Sequence, residues 1–524
     1  MRVVLTADPS LTSTFRNIPL LDFLPCAPVE NVPKFIYRIL DTQLPEKDGR
    51  LIQAPYAIRK VEAALLMHGF KRDEVVVAHP WKVEKFIDKE TTIVGVNTMD
   101  PYGLGPVTLM FTQGGKKTSY SKYLFTSLIK RLRDYRERKG YKFKIVVGTQ
   151  AGWQFELKQD LTEKLGIDHV ITGEVDHVIG DIFRDIESEG ADMFINVKTW
   201  PKIEEIPSIV NPTYKGMVEV MRGCGRGCRF CSPNLRTARF YPLEKIMDEI
   251  DVNLRIGQRK AWLHGEDIFN YMVEDRRNFY PNEDAVIELF KKVLEKVEFA
   301  NPTHGTLAGA LAAPRILKEV SEMNRAGMDK WVGIQVGLET ASPELIKKIA
   351  NNKMKPFGAE EWPWVVLNGT YAFNKFFWFP AYTTIVGLPW EMDEDGIDTA
   401  RLIITMEKKL KEKLGERAHF TVTPLAFVPM GSLKDREFFN IEEHLTEGRI
   451  LHIYHAWRHL VWEVDRGLRR VTRGNPGFWI FAPLAKLGTR LVVRSIRKWA
   501  KRRGVDVDKP LDPMDIKIEE IDID

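Results

Sequence analysis

Cysteine is scarce in this chain, with four in 524 residues, and that scarcity excludes a disulfide-stapled scaffold. No second C-x2-C and no nearby H-x3-H pair accompanies the three cysteines that cluster, so a paired zinc site lacks its other half. Long apolar runs are also missing. None reaches the roughly 18 residues that span a bilayer, and the N-terminus lacks the charged-then-apolar pattern of a secretory signal. Cytoplasmic residence, with its reducing environment, is the expectation. Acidic residues are absent between Arg466 and Arg503, a segment with twelve Lys or Arg, so the remainder sums to −7 although the whole chain carries +5. The basic character is local. With 44% hydrophobic and 28% charged residues in 60.4 kDa, the chain has the composition of an ordinary folded protein of two or three domains.

The clustered cysteines are Cys224, Cys228 and Cys231, a C-x3-C-x2-C set within Met221 to Pro233, immediately after the strand-like run Gly216 to Val220. Gly223, Gly225 and Gly227 let the loop wrap tightly, since glycine reaches left-handed angles without a side-chain clash. Three thiolates this close can converge on one metal centre, and around a four-iron four-sulfur cluster they leave one iron without a protein ligand. A zinc knuckle or a redox-inert cluster is the structural alternative. Cys26 stands alone and reads as a small buried apolar residue.

This spacing, with the aromatic Phe230 just before the last cysteine, resembles the signature of the radical S-adenosylmethionine (SAM) enzymes. The resemblance implies that SAM chelates the open iron through its amino and carboxylate groups. It also implies that the reduced cluster cleaves SAM to a 5'-deoxyadenosyl radical, which takes hydrogen from an unactivated carbon.

Upstream, helical and strand patterns alternate over about 130 residues. Ile58 to Gly69 predicts a helix with a glycine stop, Thr126 to Lys139 a basic helix, and Glu74–Ala78, Thr92–Val96, Phe143–Val147 and His169–Thr172 predict strands. Such alternation implies a parallel sheet with helices on both faces and ligands at the strands' carboxyl ends. Those ends carry His79, the Asn97 to Gly105 segment with Tyr102, the Gly148-Thr149 turn, and Gly173-Glu174. This half is similar to the cobalamin-binding domain that precedes the radical core in one branch of the family, which marks His79, Tyr102, Gly148, Thr149, Gly173 and Glu174 as candidate cofactor contacts. The Asp-x-His-x-x-Gly sequence of other cobalamin proteins is absent, so no cobalt ligand follows. A histidine satisfied at a strand end, or a Rossmann-like domain without cobalamin, is the plainer alternative.

Downstream, four segments resemble the radical core in the family's order. Ala261 to Phe269 runs from an apolar strand into Glu266-Asp267, where the family's acidic group receives the SAM ammonium; Glu266 is the first candidate and Asp267 the second. Trp331 to Glu344 resembles the Gly-Leu-Glu-Ser strand and its Ser-Pro-Glu helix cap, with Glu339 aimed at SAM. A charged end to so apolar a strand otherwise calls for an ion pair. Thr383 to Glu391 matches the Gly-Leu-Pro turn, placing Gly387 and Pro389 near SAM, with Trp390 where the family has glycine. His419 to Leu433 resembles the final core strand. The fold class is therefore α/β: an N-terminal Rossmann-like parallel sheet, a partial (β/α)6 barrel, and a mainly helical C-terminal region. The expected boundaries are an extension at 1–49, the Rossmann-like domain at 50–200, a linker at 201–215, the core at 216–435, and a basic helical region at 436–524.

In that last region, Ile450 to Leu468 reads as a helix whose His455 and His459 have metal-binding spacing, although packing of an amphipathic helix explains them more simply. Residues 477–503 combine Trp and Phe with a basic amphipathic pattern, suited to an anionic membrane surface, to phosphate, or to packing on the barrel. Met514 to Asp524 reads as a frayed acidic tail or a strand that offsets part of this charge.

The resemblance as a whole implies a cobalamin-dependent methylase of an unreactive carbon. Its cofactors would be a 4Fe-4S cluster, SAM and cobalamin, with an external electron donor such as ferredoxin or flavodoxin and a small-molecule or lipid substrate. Cyclisation, coupling or rearrangement without methyl transfer is the alternative within the class. A non-catalytic iron-sulfur or nucleic-acid-binding protein is the alternative outside it. Sulfur insertion into RNA calls for a second set of cluster cysteines, and only Cys26 is left.

Overall fold

The computed structural model describes residues 1–148, 150–232, 236–474 and 482–521. The chain forms two compact units, Met1–Val218 with Tyr241–Arg259, and Glu219–Phe240 with Lys260–Asp524.

The first unit is built on a six-stranded sheet of β1 (Val3–Ala7), β2 (Val75–Val77), β3 (Ile93–Asn97), β4 (Lys144–Gly148), β5 (His169–Thr172) and β6 (Phe194–Asn196) in the order 2-1-3-4-5-6. Every pairing is parallel, as the alternation predicted. Helices α1 (Tyr56–Met67), α2 (Tyr120–Lys139) and α3 (Ile179–Glu187) accompany it. One apolar cluster joins Phe125, Leu128 and Leu132 of α2 to Val94 and Val96, and another joins Ile58 and Leu65 of α1 to Val3, Leu5 and Val77.

Three expectations change here. Residues 1–49 are not merely an irregular extension, because all five residues of β1 are buried between β2 and β3. Burial on both faces, rather than alternation, selects such a run for a central strand. Tyr102 is a core residue: its ring meets Phe155 edge-on at 5.0 Å and its hydroxyl lies 2.8 Å from Thr162 Oγ1. Finally, α4 (Leu243–Leu254) belongs with the first unit although it follows the cysteine loop. Its Glu249 receives Lys60 Nζ at 2.6 Å, and its Asn253 accepts from Thr213 N–H at 2.8 Å.

In the second unit a short antiparallel hairpin, β7 (Met221–Arg222) with β8 (Arg239–Phe240), frames the cysteine loop. The parallel strands follow: β9 (Lys260–His264), β10 (Phe299–Pro302), β11 (His304–Gly305), β12 (Val332–Glu339), β13 (Trp378–Val386) and β14 (Thr421–Ala426). β10 pairs with β9, while β11, one residue further along, pairs with β12, so a single strand position broken at Thr303 joins the two sheets. β12, β13 and β14 continue in parallel register. Together with Val220, whose N–H is donated to His264 O at 2.8 Å, this is the wall of a partial barrel.

Outside the wall lie α5 (Pro314–Met323), α6 (Pro343–Ala350), α7 (Trp362–Lys375), α8 (Asp393–Leu414), α9 (Glu447–Gly474) and α10 (Ala482–Arg502). Pro314 and Pro343 open their helices at the first turn and Ser342 caps α6, accepting from Leu345 N–H at 3.2 Å, as the sequence indicates. Of the basic aromatic segment, 477–481 lies outside the described residues. Residues 514–521 of the acidic tail are docked rather than frayed. Asn368 of α7 donates to Lys517 O at 3.0 Å and accepts from Glu519 N–H at 2.8 Å, and Tyr371 donates to Glu520 at 2.6 Å. Alternating polar and apolar residues let this strap satisfy a neighbouring helix without joining a sheet. Among the described residues no helix is long and apolar enough to cross a membrane.

Candidate active site

The cysteine loop takes the backbone shape that its glycines allow, with φ of +73°, +73° and +71° at Gly223, Gly225 and Gly227. Such angles strain any residue with a Cβ, so the wrapped loop depends on these three positions. Cys224 and Cys228 are buried, Cys231 is half-buried, and none of the four cysteines forms a disulfide. Burial pushes the Cys224 and Cys228 thiols up, while the Lys353 ammonium draws Cys228 back down. No three His, Cys, Asp or Glu side chains among the described residues converge on one metal ion.

Arg226, between the first two cysteines, anchors the loop. It is 1% exposed and spreads its guanidinium over Asp267 (3.0 Å), the carbonyls of Asn352 and Lys355 (both 3.0 Å), Asn270 Oδ1 (3.1 Å) and Thr306 Oγ1 (3.4 Å). Asn270 in turn donates to Cys224 O at 3.0 Å. Further along, Arg229 N–H is donated to Ile349 O, and its carbonyl accepts from Ser432 N–H, both at 2.8 Å. The rigid fork of arginine suits a hub with several acceptors.

The two acidic candidates after β9 separate. Asp267, fully buried, accepts from Arg226 and Thr306 and caps Phe269 N–H. Its oxygens are already engaged in holding the loop, which corrects its reading as a cofactor contact. Glu266 takes the N–H of Gly223, yet its Oε2 is buried without a hydrogen-bond partner. Burial raises its pKa. A buried, unsatisfied carboxylate oxygen beside a cysteine loop is suited to receive a cationic or N–H-bearing ligand.

Glu339 ends β12 with φ +63°, and Lys353 Nζ donates to it at 2.8 Å with both groups buried. This is the ion pair that so apolar a strand end demands. Burial alone would lower Lys353, but Glu339 keeps it raised. Gly387, with φ +84°, cannot carry a side chain, since a Cβ there would lie 2.0 Å from Phe439. Its N–H is donated to Glu391 at 2.6 Å, and Glu391 also meets Arg449 at 3.0 Å. Burial pushes Glu391 up to about 7. Trp390, beyond Pro389, lies between Arg229 of the cysteine loop (4.8 Å) and Arg436 (5.0 Å). Cation–π contact thus replaces the family's glycine with a lock on that loop.

Sequence reasoning passed over Arg226, Lys353 and a histidine pair. His264, which ends β9, and His304, which opens β11, share Thr303 Oγ1 at 3.2 and 2.9 Å, and burial lowers His304 to about 4. An arginine set among cysteines and glycines was the available signal for the first. Of the α9 histidines, His459 is engaged by Glu407 and Phe420 O at 2.9 and 2.8 Å, and His452 lies 2.7 Å from Thr384 Oγ1, so neither is free to share a metal with His455.

In the first unit, Gly148 closes β4, and a Cβ built there meets nothing within 4 Å. Gly173 has φ +99° and a Cβ there would strike Val197 O at 2.2 Å; Glu174 beside it is buried. His79 is buried after β2 and accepts from Trp81 N–H at 3.3 Å, and burial lowers its pKa. Thr149 lies outside the described residues. Cys26 is half-buried beside Thr108, and burial pushes its thiol up to about 12.

Comparison with known proteins places this geometry. Residues 218–403 match the Radical SAM superfamily model. Two tRNA-2-methylthio-N(6)-dimethylallyladenosine synthases from strains of Bacteroides fragilis are each 25% identical over 179 residues, 33% of this chain and 38% of theirs. The match therefore spans well under half the length of those relatives. Among solved structures, the radical S-adenosylmethionine methyltransferase TsrM from Kitasatospora setae, with cobalamin and a 4Fe-4S cluster bound, superposes with a TM-score of 0.51 at 14% identity, covering 82% of this chain and 74% of that one. The same protein with tryptophan and the SAM analogue aza-SAM gives 0.52 at 14% identity over 83% and 75%. At this identity the likeness is one of fold. Residues 218–403 are thus similar to the radical SAM domain, and over most of its length the chain shares the fold of the TsrM structures.

Proposed function

We propose that this protein is a cobalamin-dependent radical SAM methylase acting on an unactivated carbon of a small molecule. The carrying observation is Glu266 Oε2, buried without a partner next to a three-cysteine loop. When bound, a reduced 4Fe-4S cluster supplies the electron that cleaves SAM, and cobalamin supplies a methyl carrier. Cys224, Cys228 and Cys231 hold the cluster in this reading. Arg226 fixes the loop from within, and Lys353 offsets the negative charge of the thiolates. Glu266 accepts the SAM ammonium, while Gly387 and Pro389 keep the neighbouring turn thin. Glu339, neutralised by Lys353, orients SAM through its remaining oxygen. The open space at Gly148 gives cobalamin room in the first unit. The TsrM structures support the reading, since that methyltransferase binds cobalamin, a 4Fe-4S cluster and a SAM analogue on a comparable fold. A ferredoxin or flavodoxin supplies the electron.

Sulfur insertion into tRNA is the second reading, favoured by the Bacteroides relatives. The count of four cysteines weighs against it.

Anaerobic reconstitution with iron, sulfide and hydroxocobalamin, followed by metal analysis and a SAM-cleavage assay, tests the proposal. About four irons and one cobalt per chain with 5'-deoxyadenosine formation are expected. Iron and cleavage without cobalt would remove the methylase. Glu266→Gln should weaken SAM binding about tenfold or more at unchanged iron content, the loss of one charge-assisted hydrogen bond; unchanged affinity would remove Glu266 from the site.

A further inference from the structure

A cavity of about 660 Å³ opens between α8, α9, α10 and the segment Val507–Leu511, and it shares no residue with the cysteine loop or its anchors. Five cationic side chains line it: Lys408, Lys411, Arg458, Arg497 and Lys509. Two are already matched, Arg458 by Glu407 and Arg497 by Asp508 at 2.5 and 2.9 Å. Lys408, Lys411 and Lys509 have no ion-pair partner among the described residues, so the lining carries an uncompensated charge of three lysines.

The wall also holds unmet donors. His455 is 6% exposed, and neither of its ring nitrogens has a hydrogen-bond partner; Arg458 Nε is likewise buried and unpartnered. Buried polar groups in native proteins are satisfied with few exceptions, so two such groups on one cavity wall point to a missing acceptor. Its chemistry follows from the lining. It accepts hydrogen bonds from an imidazole and a guanidinium, carries several negative charges for three lysines, and fits a space of ligand size.

We propose that this cavity binds a multiply charged, phosphate-bearing ligand, with His455 and Arg458 Nε donating to its oxygens and the three lysines balancing its charge. The site stands apart from the radical chemistry and does not depend on it. A free phosphate compound and a phospholipid headgroup share this recognition.

The test uses the full, anaerobically reconstituted chain, titrated calorimetrically with inorganic pyrophosphate at low salt. In a parallel arm, the chain is sedimented with phosphatidylcholine vesicles with and without phosphatidylglycerol. Saturable binding of one pyrophosphate per chain is expected, weakened about tenfold or more in Lys408→Ala/Lys411→Ala and lost in His455→Phe. The exposed Lys348→Ala control should bind normally. The two lysines are exposed, so their variant stays folded even if the histidine variant does not. Vesicle binding that pyrophosphate displaces identifies a headgroup as the source, and pyrophosphate binding without vesicle binding identifies a soluble phosphate. Absence of pyrophosphate binding, an affinity that the lysine pair leaves unchanged, or vesicle binding that pyrophosphate fails to displace would overturn the proposal.

Discussion

Replacing Arg226 with methionine keeps most of the buried stem and deletes the guanidinium donors by which this residue ties the cysteine loop to the barrel. Five contacts disappear together, at 3.0 to 3.4 Å. The damage concentrates on Asp267, which is 0% exposed and is left with only Thr306 and Phe269 N–H. Breaking a buried pair by removing one partner costs about 3–5 kcal/mol, because a charge is stranded away from water. The carbonyls of Asn352 and Lys355 lose donors as well, so the upper end of that range is expected. At a slope of about 3 kcal/mol per molar urea, the midpoint of the barrel's transition should fall by more than about 1 M. Asp267→Asn in the same background removes the stranded charge and should recover about 2 kcal/mol, making the pair strongly non-additive. Urea titration followed by tryptophan fluorescence measures all four corners of the cycle, and iron retention on a desalting column reports the loop itself. A loss below about 1 kcal/mol, or simple additivity with Asp267→Asn, would refute the view that Arg226 organises this loop.

Three further outcomes follow from the same geometry. Gly387→Ala forces a Cβ to 2.0 Å from Phe439 at φ +84° and should cost about 2–4 kcal/mol by chemical denaturation, combining backbone strain with overpacking. Glu391 is held up at about 7 by burial, above its unfolded value, so the folded state binds its proton more tightly and the stability from that group is lost as pH rises from about 4.5 through 7; Glu391→Gln should remove this component from a pH series of denaturation midpoints, and an identical pH dependence in both proteins would contradict it. Asn368→Ala deletes the amide that clasps Lys517 and Glu519, and should make residues 514–521 cleavable by limited proteolysis at a cost of about 1–3 kcal/mol.

What could be read from the residues alone depended on how local the governing physics is. The strands ending at Asn97, Gly148 and Thr172, and the Ser342-Pro343 cap, announce themselves through short-range pattern, and the structure places them within a few residues. The wrapped cysteine loop was legible for the same reason. Val3–Ala7 was not, since five apolar residues before a long irregular stretch carry no periodic signal and only tertiary burial gives them the interior of a sheet. The partners of charged candidates were equally hidden. Glu339 finds Lys353 fourteen residues on, and Asp267 finds Arg226 forty-one residues back. Without those distances Glu266 and Asp267 look interchangeable, whereas the folded chain engages one and leaves an oxygen of the other unsatisfied.

The way the backbone passes between the two units has a bearing on how the protein is made. It crosses three times, after Val218, Phe240 and Arg259, so α4 reaches the first unit only after the cysteine loop has been synthesised. During translation the loop therefore emerges before either unit is complete. Lys60 waits for its buried partner Glu249 until that point, which delays final closure of the first unit. A ribosome paused near Arg259 would hold a nascent chain with its cysteines exposed and its barrel still unmade, an interval in which protection from oxygen matters most.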